Sequence, residues 1–144
     1  MDGTVISDAV NLAARIEGLT KQYGATLLIS EESYICLADP TRYAIRQIDR
    51  VAVKGKSEPV TLYELFDGDS LEQIRLKKET LADFELALTM YRQQEFAFAQ
   101  KLFRQVLQLN PQDKAAKLYA ERCQLYQQRD IPLEWNGVFV ATSK

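Results

Sequence analysis

A change of period at Asp67-Gly68-Asp69-Ser70 divides this chain of 144 residues. Before it, TRYAIRQIDRVAV (41–53) and VTLYELF (60–66) alternate apolar and polar residues around the turn KGKSEP (54–59), the pattern of an antiparallel strand pair. After it, neither Pro nor Gly occurs until Pro111, and strong helix formers dominate. A domain boundary is therefore expected here, giving parts 1–67 and 68–144. It rests on periodicity and not on charge, because the first part carries 7 basic and 10 acidic residues and the second 11 and 10.

The first part adds a strand over 3–7 (GTVIS) and a helix from Asp8, its cap, to about residue 22, with Gly24 as the stop signal. ATLLIS (25–30) reads as a buried strand, and Ser30 followed by Glu31, Glu32 and Ser33 starts a short helix that Asp39-Pro40 ends. A strand opening this close to Met1, without a turn or partner before it, reads as cut. The second part reads as helices over 71–93, 96–109 and 112–128, then an extended segment, 138–140, that must dock on something. The fold class is α+β.

Composition excludes several functions. The chain is 47% hydrophobic and 26% charged with net charge -2, so it is globular, and no dense Lys/Arg patch offers a nucleic-acid surface. Cys36 and Cys123 lie far apart without CxxC spacing and no histidine exists, so neither a zinc site nor a His-based catalytic triad is available. No apolar run approaches the roughly 18 residues that span a bilayer. A cytoplasmic chain with reduced thiols is expected.

Asn11 and Arg15 sit at i and i+4 of the first expected helix, so they share a face among apolar neighbours. A solvated stripe is the plain reading of such a pair. The alternative is a guanidinium and an amide placed for phosphoryl charge and a ribose oxygen. Lys54, in the turn VKGKSEP, either meets a phosphate or keeps a hairpin soluble.

Residues 4–17, TVISDAVNLAARIE, resemble the signature of class III adenylate and guanylate cyclases, and the likeness continues through EGLTKQYGATLLISEESY and IDRVAVKGKSEPVTLYEL. It covers residues 1–67 and implies the C-terminal portion of a ferredoxin-like cyclase domain with an incomplete sheet. The resemblance implies that Asn11 orients the ribose and that Arg15 stabilises the pentavalent phosphorus. It also implies that Thr4 reads the purine and Lys54 contacts the triphosphate. The reaction implied is cyclisation of ATP, or GTP, with loss of pyrophosphate, for signal transduction. Ser7 stands where the family usually has glycine, and Gly3 where an aromatic residue is common. The family's two metal-binding aspartates and its purine-reading lysine precede this motif and have no counterpart here. Asp2 and Asp8 match no metal-ligand position, so no residue of this chain is assigned to metal. Mg²⁺ or Mn²⁺ belongs to the complete domain, and a head-to-tail dimer partner is expected to supply the carboxylates. The chain alone is expected to be an inactive fragment of a bacterial enzyme, any membrane anchor of a longer parent lying upstream.

ALTMYRQQEFAFAQKLFRQVLQLNPQD (87–113) resembles a tetratricopeptide repeat through Ala87, Tyr91, Phe96, Ala99, Phe103, Leu107 and Pro111. An all-α helical-hairpin region is implied. The stripe reads as core, and one and a half repeats must lean on other structure. Trp135 reads as a packing anchor. The alternative function is a non-catalytic module that binds a protein partner through these helices.

Overall fold

Gly24 stops the first helical run, 18–23, by entering the left-handed region at φ 66°. Its N–H bonds to the Lys21 carbonyl and that of Ala25 to Thr20, a pairing that satisfies carbonyls left over at the helix end. The computed structural model describes residues 18–52, 59–129 and 135, with the backbone of 139–140. The strand expected over 3–7, residues 8–17 of the helix expected to run from Asp8 to about 22, and most of the turn KGKSEP lie outside the described residues.

Strand β1 (Leu27–Ser30) runs straight into helix α1 (Glu31–Ile35), because the Ser30 hydroxyl accepts the Ser33 N–H as an N-cap. Asp39 caps a 3₁₀ turn at Pro40–Arg42. Strands β2 (Ile45–Ala52) and β3 (Val60–Leu65) pair antiparallel, and β1 pairs antiparallel with the other edge of β3. Four described strands form one sheet in the order β1-β3-β2-β4. The last, β4 (Phe139–Val140), lies parallel to β2 opposite Val51 and Ala52, so the extended C-terminal segment docks on the sheet.

Helices α2 (Leu71–Glu79), α3 (Leu81–Arg92), α4 (Phe96–Leu109) and α5 (Lys114–Tyr126) complete the described chain. The single helix expected over 71–93 is two. At Thr80 the fully buried hydroxyl donates to the Leu76 carbonyl, 2.8 Å, and the backbone leaves the helical region at φ -94°, ψ 2°. Ala87, Tyr91, Phe96, Ala99 and Phe103 are core, as their spacing requires. Trp135 packs on Tyr91, Phe96 and Tyr126 with ring centroids 5.2–5.5 Å apart.

One apolar cluster joins Leu19, Tyr23, Leu28, Ile48, Val51 and Leu62 of the first part to Phe84, Tyr91, Phe103 and Tyr119 of the second. The helices therefore lean on the sheet. A bulge decides how β2 faces them: Gln47 lies opposite Tyr63 and Asp49 opposite Leu62, leaving Ile48 as the extra residue. Consequently Arg46, Ile48, Asp49 and Val51 are all buried, and a carboxylate points inward where strict alternation would point it out.

Candidate functional site

Thr4, Asn11, Arg15 and Lys54, the residues expected to carry chemistry, all lie outside the described residues. The structure does describe the segments that flank them. The described part of the first helix, 18–23, starts three residues after Arg15, the described part of β2 stops two residues before Lys54, and β3 begins six residues after it.

Those flanking segments are tied through Asp49. Its carboxylate accepts from the Tyr23 hydroxyl and, at 2.7 Å, from the Arg50 N–H, and Arg122 of α5 stands 3.5 Å away. Burial of the carboxyl raises its pKa, and the Tyr23 hydrogen bond and the Arg122 charge oppose that rise. Tyr23 and Tyr119 are held far above the usual phenol range, first by burial and then by the Asp49 charge, so both remain neutral donors. The Tyr119 hydroxyl donates to the carbonyl of the bulged Ile48, 2.8 Å. Lys114, the first residue of α5, donates to the Lys21 carbonyl at 2.7 Å. A side chain at Gly24 would meet Lys114 Cβ at 2.9 Å, so only glycine lets α5 approach this closely.

A second network is built around Arg46. Its Nε donates to Glu64, the cross-strand neighbour, at 2.6 Å, and its two terminal nitrogens grip Asp113 at 2.8 and 2.9 Å. The guanidinium lies 4.1 Å over the Phe84 ring. Lys77 donates to Glu64 at 2.7 Å and to Asp69 at 2.6 Å. Burial alone would raise the Asp113 carboxyl, but the hydrogen bonds and charge of Arg46 hold it below the usual range. Asp113 also caps α5 through the Ala116 N–H.

These networks hold structure and leave no reactive group exposed. Among the described residues no buried side-chain polar atom lacks a partner, and no cluster of His, Cys, Asp or Glu is placed to hold a metal ion. Glu64, Asp69 and Asp113 share Arg46 and Lys77 as partners, and these two cations stand where a divalent cation would need the oxygens, so the group does not fit one. Burial pushes the Cys123 thiol up to about 12, which leaves it inert. A cleft of about 310 Å³ opens beside these groups, between Tyr23 and Thr26 on one side and Gln73, Gln112 and Lys114 on the other. Sequence reasoning missed Arg46, Asp49 and Asp113. The Arg46–Glu64 pair was legible in principle as facing charges on adjacent strands, whereas Asp49 was hidden by the bulge.

The chain is similar to the "Adenylate cyclase, terminal-differentiation specific" of Dictyostelium discoideum, 34% identical over 124 residues. It is also 53% identical over 66 residues to the "Adenylate cyclase" of Anabaena cylindrica. Over 80 residues it is 36% identical to the "Photoactivated adenylate cyclase subunit beta-like protein FB" of Euglena gracilis. These homologues support a cyclase relationship. The three matches cover 85%, 45% and 54% of this chain, but the chain spans only 6%, 13% and 9% of those relatives. A match over 85% of 144 residues necessarily crosses residue 68, so the likeness to the Dictyostelium cyclase takes in helices as well as sheet. No family model matches the chain, and no solved structure matches it. Among the described residues no helix is long and apolar enough to cross a membrane.

Proposed function

We propose that this chain is part of a class III adenylate cyclase and supplies the ribose- and transition-state-facing half of its site. The similarity that carries this reading is the 53% identity to the Anabaena adenylate cyclase, together with the motif TVISDAVNLAARIE. Asn11 holds the ribose, Arg15 neutralises charge on the phosphorus undergoing in-line attack by the 3′ oxygen, Lys54 contacts the triphosphate and Thr4 reads the purine. Such chemistry needs positioning and charge stabilisation more than a protein nucleophile, which suits a chain without histidine. A divalent metal, when bound to the complete site, neutralises the triphosphate; its carboxylates come from a second protomer in a head-to-tail pair.

The helices after residue 68 are read as a tetratricopeptide-like hairpin, supported by the buried Ala87, Tyr91, Phe96, Ala99 and Phe103 stripe. The test mixes this chain with a cyclase protomer that keeps the metal aspartates but lacks the Asn and Arg. With Mg²⁺ and ATP, cyclic AMP is expected from the mixture and not from this chain alone. Arg15→Ala should abolish it, by about 100-fold or more. Equal product from the Arg15→Ala mixture rejects the assignment.

A further inference from the structure

The proposed site residues sit on two stretches of chain, 4–15 and the turn containing Lys54, that are far apart in sequence. A reaction governed by positioning needs them held in one fixed relation, because a misplacement of about 1 Å costs on the order of 100-fold in rate. Among the described residues, helical run 18–23, just beyond the first stretch, is bonded directly to β2, the strand leading into the Lys54 turn. The bond is that of the Tyr23 hydroxyl to the Asp49 carboxylate.

Three features set this bond apart from ordinary core packing. Asp49 is 1% exposed, and a buried carboxylate is a costly way to join two segments when an apolar pair would serve. The inward aim of Asp49 depends on the Ile48 bulge, and the carbonyl of the bulged residue accepts from Tyr119. Both the bulge and the carboxylate are thus held from α5, through Tyr119 and Arg122, while Lys114 of the same helix holds the end of run 18–23. One helix of the second part fixes both flanks.

Resting on the half-site reading above, we infer that Tyr23 and Asp49, clamped by Tyr119 and Arg122 of α5, are positioning residues that hold the Asn11/Arg15 segment in register with the Lys54 turn. The helical tail is then a strut of the catalytic site and not only a docking appendage.

The experiment uses the full chain with the complementing protomer described above, comparing wild type, Tyr23→Phe, Asp49→Asn and Arg122→Gln. Thermal melts are run on each variant. Tyr23→Phe keeps the ring stacked 6.4 Å from Tyr119 and removes only the hydroxyl, so it is the variant expected to stay folded. Two readouts are taken. Hydrogen exchange over residues 9–22 and 50–57 should quicken in folded Tyr23→Phe, at least fivefold, relative to exchange in α4. In the complementation assay kcat should fall about 10- to 100-fold with KM for ATP within about threefold. Unchanged exchange in these two segments, or unchanged kcat in a variant whose melt has shifted, overturns the positioning role. Absence of cyclic product from the wild-type mixture instead rejects the half-site reading and the inference with it, whereas an active wild type with unaffected variants rejects the inference alone.

Discussion

Arg46 contacts Glu64 and Asp113 from one guanidinium, and the residue is itself 2% exposed. A buried cation of this kind contributes little net stability against an apolar isostere, but removing it strands its partners. Arg46→Ala is therefore expected to cost about 3–5 kcal/mol, read as a lower urea midpoint at unchanged slope. A loss below about 1 kcal/mol would mean that water reaches the carboxylates. The two buried aspartates at α5, its cap Asp113 and Asp49 facing it from β2, have pKa values displaced in opposite directions. Asp113, facing Arg46 and Lys77, has a folded pKa below its unfolded value, so the unfolded chain binds more protons in that window. Its stabilisation is present above about pH 4 and is lost as pH falls through the folded pKa. Asp49, facing Tyr23, Tyr119 and Arg122, has a raised pKa, so the folded chain binds more protons and acidification from neutral favours folding at this site. Urea midpoints between pH 7 and 3 should accordingly show a shallower acid loss for Asp113→Asn than for wild type, and a steeper one for Asp49→Asn. Parallel slopes for the two variants would contradict the opposed shifts.

At the scale of elements, Tyr119 donates to the carbonyl of the bulged Ile48 across the interface between β2 and α5. Tyr119→Phe is expected to cost about 1–3 kcal/mol, because the carbonyl stays buried without this donor. Calorimetry on the folded variant checks this, and a neutral substitution would show that another group or water replaces the hydroxyl. Elements of this kind divide sharply in how legible they were. The strand pair, the stop at Gly24, the Ser30 cap and the helix over 96–109 come from local rules that act within one turn or one strand, so residue pattern carries them. The bulge and the break at Thr80 do not. In IRQIDRVA the apolar residues Ile45, Ile48 and Val51 fall at every third position, which departs from strict alternation, but nothing in it says that Asp49 will find Tyr23 and Arg122 inside. Thr80 lies in an unbroken run of helix formers, and the break depends on its burial between α2 and α3. The candidate site divides in the same way: the proposal for Thr4, Asn11, Arg15 and Lys54 rests on a motif of fixed spacing, while Tyr23, Asp49, Tyr119 and Arg122 come together only in three dimensions.

At the scale of the whole molecule, the change of period near Gly68 marks where local pattern changes, and local pattern is silent on which faces meet. Phe84 and Tyr119 of the helices pack with Ile48, Val51 and Leu62 of the sheet, and Asp113, Tyr119 and Arg122 each bond across to β2. Produced alone, residues 68–144 would expose that aromatic face and leave Asp113 without Arg46, while Trp135 would still find Tyr91, Phe96 and Tyr126. About three helical-hairpin repeats are needed for a stack to stand by itself, and this segment has fewer. The isolated segment is therefore expected to keep helical far-ultraviolet dichroism but lose near-ultraviolet signal from Tyr119 and its neighbours, to bind a hydrophobic dye, and to melt without a cooperative transition. A cooperative, monomeric melt within a few degrees of the full chain would instead make 68–144 an autonomous module, and would favour a protein-binding role for the helices over a strut for a cyclase site.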